Sequence, residues 1–232
     1  MNNIKHFAFF WIGEDISIPS YLVRSILKTY SNDVNIIFLT DKKTPNIIGV
    51  TNTIRSNLSK DIMIARLQAY SKLKINEQVI FLDADSLVIG KVDMLPSNEE
   101  LIIFRRKKEK ILINNMYPEW YPEFKNKTLD EMMPFLFAAV VTNSNHSYKI
   151  FLILLEVAKK LPKRFHRWYG DQYSLKIATE DKLIKFQEYN FDDFIKNIRD
   201  ESDLLNPSKN IFHFKGKDSK FFIKNAYERF LN

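Results

Sequence analysis

The chain has 232 residues, 45% hydrophobic, 14% aromatic and 27% charged, with five glycines; it is long enough to bury a proper core, and disorder and fibrous repeats are excluded. It has no cysteine and four histidines, which removes disulfides, thiolate zinc sites and a cysteine nucleophile and leaves oxygen and imidazole as metal ligands. The formal charge is +7, yet residues 1–100 hold 11 basic and 11 acidic side chains, so the whole excess is C-terminal. Its dense parts, Arg105–Lys108, Lys159–Arg167 and Lys215–Lys224, suit a diphosphate, an anionic acceptor, an acidic membrane surface or simply a solvated basic face.

The longest apolar stretches, His6–Ile12 and Ile150–Leu155, fall far short of the roughly 20 residues of a membrane span. The N-terminal segment has one lysine before its apolar run and no small-residue cleavage site, so it reads as a strand and not as a signal peptide. The expectation is a cytoplasmic protein without a transmembrane segment, its basic half available for peripheral contact with the inner membrane face.

Short apolar runs alternate with helical patterns over residues 1–100, the signature of βαβ units in a mostly parallel sheet. Phe7–Ile12 is the first predicted strand, followed by a helix from Pro19 to Tyr30. Val34–Thr40 is a buried strand and Gly49–Ile54 a shorter one. Ser59–Leu73 is predicted as a helix capped by Ser59. Gln78–Leu82 is the central strand and runs into Asp83, Ala84 and Asp85. Leu101–Arg105 is a further strand, and Lys107–Pro134, with Pro118, Pro122, Tyr117, Trp120 and Tyr121, reads as a loop-rich insertion beside an acceptor or as an aromatic lid. Phe135–Thr142 is a strand, Tyr148–Leu161 and Gly170–Thr179 are helices, Leu183–Gln187 and Ile211–Phe214 are strands, and Phe221–Leu231 is a helix. No internal repeat is visible. The fold class is α/β, a Rossmann-like mixed sheet flanked by helices, in one domain over residues 1–232.

Asp83 and Asp85 interrupt a buried segment, with Val79–Leu82 before them and Leu87–Ile89 after, where idle charge is costly. In an extended segment residues two apart share a face, so both carboxylates would meet one ligand at a strand end, the usual place of sites in open α/β sheets. Two carboxylates so close stay ionised only with a cation or donors beside them, and Mn²⁺ or Mg²⁺ on a substrate phosphate meets that need.

Ala65, Arg66 and Leu67, followed by VIFLDADSLVIGKVDML up to Leu95, resemble the approach to the D-x-D motif of family 8 glycosyltransferases, the GT-A fold group of glycogenin and lipopolysaccharide galactosyltransferases. Gly170, Asp171 and Gln172 are similar to that family's Asp-Gln beside the donor sugar, and the stretch from His213 to Lys220 resembles its closing H-x-x-G and lysine motif. The resemblance implies that Asp83, Asp85 and His213 bind the metal and that Asp171 and Gln172 act at the anomeric carbon. It also implies that Trp11, Gly13, Arg66, Asp83, Ala84, Gly216, Lys217 and Lys220 hold the nucleotide diphosphate. Trp168, Tyr169 and Gly170 form a candidate sugar platform or an aromatic helix cap. Two positions depart from the family: Ser219 stands where it has a lysine, and Leu136–Ala139 replaces its Asn-bearing F-N-A-G strand.

The implied reaction is retaining transfer of a hexose from a UDP-sugar to a hydroxyl of a glycan or lipid-linked saccharide. The apolar strand ending in DADSL also looks like the nucleophile motif of haloacid dehalogenase-type phosphatases, with Asp83 phosphorylated and Asp85 as the acid. That motif belongs on a first strand, whereas three strands precede it here, and no G-D-x-x-x-D follows. A non-catalytic nucleotide-sugar or nucleic-acid binding domain is the third reading. No zinc-finger, RNA-recognition or helix-turn-helix signal supports nucleic acid as a partner.

Overall fold

A computed structural model describes residues 5–31, 33–92, 100–107, 112, 124–143, 147–205, 208–216 and 218–231. A sheet of seven strands runs through it in the order β3-β2-β1-β4-β7-β6-β8. Its strands are β1 (Lys5–Phe10), β2 (Val34–Thr40), β3 (Asn52–Arg55), β4 (Val79–Asp83), β6 (Leu101–Arg105), β7 (Phe135–Thr142) and β8 (Phe186–Asn190). β1, β2, β3 and β4 pair in parallel, and β7 lies antiparallel between β4 and β6, so the sheet is mixed.

Strand alternation feeds two cores. Phe7 and Phe9 of β1, Ile36 and Phe38 of β2, and Ile80 and Leu82 of β4 pack on one face with Leu22, Val23 and Ile26 of helix α1 (Ser17–Tyr30). Ala8, Phe10, Ile37, Leu39, Val79 and Phe81 pack on the other. That second face is covered by α2 (Ile62–Tyr70), α4 (Ser147–Lys160) and α6 (Gly170–Glu180). Both faces being covered is why these strands read as unbroken apolar runs. Burial of this kind contributes about 25 cal/mol per Å² of apolar surface and dominates the stability of such a layer.

A second sheet of three strands, β5 (Ser86–Val88), β10 (Ile211–Phe214) and β9 (Ile195–Ile198), has the order β5-β10-β9. It begins directly after the Asp83–Asp85 segment, so the chain passes from one sheet to the other at the acidic pair. The remaining helices are α3 (Leu129–Met132), α5 (Lys163–Arg167), α7 (Phe191–Phe194) and α8 (Ile223–Leu231), the last entered through a 3₁₀ turn at Asp218–Phe222. Among the described residues no helix is long and apolar enough to cross a membrane.

Several boundaries differ from the sequence reading for local reasons. The strand expected over Gly49–Ile54 starts only at Asn52, because Gly49 turns the chain with φ +94°, and a Cβ there would meet Leu27 Cδ1 at 2.5 Å. α2 is shorter than Ser59–Leu73: Asp61 stands at its N-cap position, and the Ser59 hydroxyl instead accepts from the Asp61 N–H at 3.1 Å, a turn ahead of the helix. β8 begins at Phe186 and not at Leu183, which is half exposed. β5, β9 and the second sheet were not foreseen. Of the predicted insertion, Pro118, Pro122, Tyr117, Trp120 and Tyr121 lie outside the described residues.

Candidate active site

The parallel strands β1 and β4 end at the same edge of the sheet, and a cleft of about 540 Å³ opens there. Asp83 is the last residue of β4, and Ala84 and Asp85 form a turn before β5. The two carboxylates therefore converge through a turn and not through the extended alternation expected from sequence. They meet the imidazole of His213 on β10, whose Nε2 lies 3.5 Å from Asp83 Oδ2 and 3.6 Å from Asp85 Oδ1. One ligand atom from each of the three falls within 4.8 Å of the others.

The pairing of β10 with its neighbours explains this convergence. His213 stands opposite Ser86 of β5 and Asn197 of β9, and the Phe214 N–H donates to the Asp85 carbonyl at 2.9 Å. Nδ1 of His213 is 2.8 Å from Asn197 Oδ1. That oxygen only accepts, so Nδ1 is the donor there, which leaves Nε2 as the ring nitrogen available to a cation beside the two acids. Two carboxylate oxygens and an imidazole nitrogen so gathered fit Mn²⁺, and with retained waters Mg²⁺.

Cationic side chains surround the pair. Arg66 NH1 is 3.1 Å from Asp83 Oδ1, and Lys220 Nζ is 2.8 Å from Asp85 Oδ2. The 3₁₀ turn at Asp218–Phe222 is what carries Lys220 back to the site. Burial opposes ionisation of Asp83, but Arg66, His213 and Lys220 outweigh it and hold its carboxyl below the usual carboxylate range. The Arg66 guanidinium is partly desolvated, but its carboxylate neighbours Asp83 and Asp171 keep it firmly charged.

Asp171 and Gln172 also line the cleft, at the start of α6. Gly170 sets their position: a Cβ on it would lie 2.1 Å from the Phe165 carbonyl oxygen, so only glycine lets α6 start against α5. Asp171 is fully buried, accepts from Arg66 NH1 at 2.8 Å, and has its pKa pushed up by burial, which Arg66 only partly offsets. Gln172 Oε1 accepts from Arg106 NH2 at 2.8 Å. Arg106 is itself buried at 4% exposure and gives its Nε–H to the Met133 carbonyl at 3.2 Å.

Of the residues singled out from sequence, Trp11, Arg66, Asp83, Ala84, Asp85, Asp171, Gln172, His213, Gly216 and Lys220 line this one cleft, as do Trp168 and Tyr169. Gly13 does not line it; its N–H donates to Thr44 Oγ1 at 3.1 Å. Lys217 lies outside the described residues. Leu136 and Ala138 of β7 face the cleft, while Phe137 packs into the opposite core. Asn197 and Arg106 were not foreseen as site residues. A basic run was the sole sequence signal for Arg106, and nothing short of the β9–β10 register marks Asn197.

No protein-family model matches the chain. Among curated proteins it is 28% identical over 220 residues to the UDP-N-acetylglucosamine--N-acetylmuramyl-(pentapeptide) pyrophosphoryl-undecaprenol N-acetylglucosamine transferase of Wigglesworthia glossinidia brevipalpis, a match over 81% of this chain and 59% of that protein's length. Among solved structures, the galactosyltransferase LgtC with donor and acceptor sugar analogs superposes with a TM-score of 0.63 at 13% identity, over 98% of this chain and 96% of LgtC. A further LgtC structure is of an active-site mutant in which glutamine is replaced by glutamate. The glycosyltransferase GlyE of Streptococcus pneumoniae TIGR4 gives a TM-score of 0.63 at 13% identity, over 98% of this chain and 61% of GlyE. With its mixed seven-stranded sheet and flanking helices, the chain has the fold of the GT-A glycosyltransferases.

Proposed function

We propose that this chain is a metal-dependent glycosyltransferase that moves a hexose from a UDP-sugar to a hydroxyl of a saccharide acceptor, with retention of anomeric configuration. The observation that carries the reading is the convergence of Asp83, Asp85 and His213 on one point of the cleft that Asp171 and Gln172 face. These three residues would hold Mn²⁺, which supplies charge neutralisation for a departing diphosphate. Lys220 and Lys215 add positive charge on the same side, and Gly216, at φ +98° and with open space around its α-carbon, lets backbone approach a phosphate.

Arg66 fixes Asp83 and Asp171 relative to each other, and so fixes the metal edge relative to the sugar wall. Gln172 keeps a second acceptor position on Oε1 beside the Arg106 bond, suited to face an electron-poor anomeric carbon. The active-site glutamine of LgtC supports this role for Gln172. The curated relative, whose name pairs a UDP-sugar with a pyrophosphoryl-undecaprenol compound, supports a UDP-sugar donor and a glycan or lipid-linked acceptor. Asp83 is paired with Arg66 and grouped with a histidine, an arrangement that suits a metal ligand and not a phosphatase nucleophile.

The test is a thermal-shift panel of UDP-, GDP-, CMP- and dTDP-hexoses with and without Mn²⁺, because a true donor stabilises the state that binds it. Stabilisation by a UDP-hexose that needs Mn²⁺ is expected, and release of UDP with an acceptor glycan should follow. A panel in which no nucleotide sugar shifts the midpoint removes the proposal.

A further inference from the structure

A second cavity, of about 450 Å³, adjoins the cleft and shares Arg106 and Leu136 with it. Its walls carry Lys107, Lys196, Arg199 and Lys209 as well as Arg106, against two carboxylates, Asp192 and Asp203. The Asp203 carboxylate is turned toward backbone, accepting from the Arg199 N–H at 2.8 Å. Lys209 Nζ rests on the Asp193 carbonyl at 3.0 Å and Lys196 on the Asp203 carbonyl, which anchors both ammonium groups at the cavity. With five basic side chains against two acidic ones, the cavity is cationic and attracts anions.

The same walls reach the chemistry. Arg106 touches Gln172 with one nitrogen, and Asn197, which lines the cavity, holds His213. The β7 face between the two spaces offers only Leu136 and Ala138, which give a neutral sugar no hydrogen bond. We infer that this cavity is an acceptor subsite for an anionic saccharide, one bearing a phosphate or carboxylate held by Arg106, Lys107, Arg199 and Lys209 while its hydroxyl reaches past Arg106 toward Gln172. The inference rests on the glycosyltransferase reading and adds the charge of the acceptor to it.

The test is calorimetric titration of the full chain, with the main cleft first saturated with UDP and Mn²⁺, using glucose 6-phosphate, glucuronate and glucose as probes. Binding of one or both anionic sugars, and of glucose at least about tenfold more weakly, is expected, given the strength of charge-assisted bonds; which anion binds tells phosphate from carboxylate. Arg199→Gln with Lys209→Gln, and separately Lys107→Glu, should weaken the anionic sugar by about tenfold or more and leave UDP with Mn²⁺ bound as before, which also shows that the variants fold. Glucose binding as tightly as the anions, or variants that bind them unchanged, overturns the inference. If UDP with Mn²⁺ does not bind the wild-type chain but the charge-dependent sugar binding is seen and lost in the variants, the subsite stands and the donor reading fails.

Discussion

His213 Nδ1 lies 2.8 Å from Asn197 Oδ1, a contact made across the β10–β9 pair. This one bond fixes Nδ1 as the donor and orients the ring so that Nε2 is the nitrogen offered to a cation beside Asp83 and Asp85. Asn197→Ala should therefore weaken Mn²⁺ binding by about 10- to 100-fold, as loss of an outer-shell partner does. Asn197→Asp, which still accepts the Nδ1 proton, should hold the affinity. Calorimetric titration with Mn²⁺ reads both, and an alanine variant as tight as wild type would dismiss the orienting role.

Asp85 is one of the three residues proposed to hold the metal and a partner for Lys220, but packs no core. Asp85→Asn should cut Mn²⁺-dependent turnover by at least about 100-fold, a loss of roughly 2.7 kcal/mol in transition-state stabilisation. In chelator its thermal midpoint should stay close to wild type. Comparable turnover in the variant would mean that the acidic pair is not the metal site.

Arg66 is the bridge between Asp83 and Asp171, and removing it strands two carboxylates in a poorly hydrated place. Arg66→Met should lower unfolding free energy by about 3–5 kcal/mol, the range for breaking a buried pair. Adding Asp171→Asn should restore part of that loss, because it deletes one stranded charge. Urea titrations of the two single variants and the double variant give the coupling directly, and simple additivity would argue that the bridge is not shared.

Acid should act on these two aspartates with opposite sign. Burial raises the Asp83 pKa, but Arg66, His213 and Lys220 lower it further, so its net shift is downward; its stabilising contribution is present above the ordinary carboxylate range and lost as pH falls through the depressed value. Asp171, raised by burial, contributes stability at low pH that is lost as pH rises through its elevated value. Metal-free wild type should thus lose its advantage over Asp83→Asn as pH falls below the ordinary carboxylate value of about 4, and should gain on Asp171→Asn at higher pH, as pH falls through the elevated value toward about 4. Urea midpoints at each pH test the pair of trends.

Gly170→Ala places a Cβ 2.1 Å from a backbone oxygen, where no side-chain movement gives relief. A loss of about 2 kcal/mol or more is expected, together with a weaker response to UDP-sugar as Asp171 and Gln172 shift. Unchanged stability would show that α5 and α6 can separate without consequence.

The sequence revealed most where an element is long and uniformly apolar. Phe135–Thr142 was legible end to end because every one of its residues is buried. β5 and β9, three and four residues long, carry too short a pattern to be told from loop. The acidic pair was legible as chemistry but not as geometry: the spacing of Asp83 and Asp85 suggested a strand, whereas a turn joins them. Asn197 and Arg106 were hidden because their partners, His213 and Gln172, are brought to them by register and packing, which no local pattern encodes.

Because the acidic pair sits where the chain leaves one sheet and His213 lies on the strand that completes the other, translation delivers the three proposed ligands far apart in time. A nascent chain halted before β10 holds Asp83 and Asp85 but neither His213 nor Lys220. On the proposed reading such a fragment lacks two of the site's anchors, so a half-made polypeptide should not spend the sugar donor.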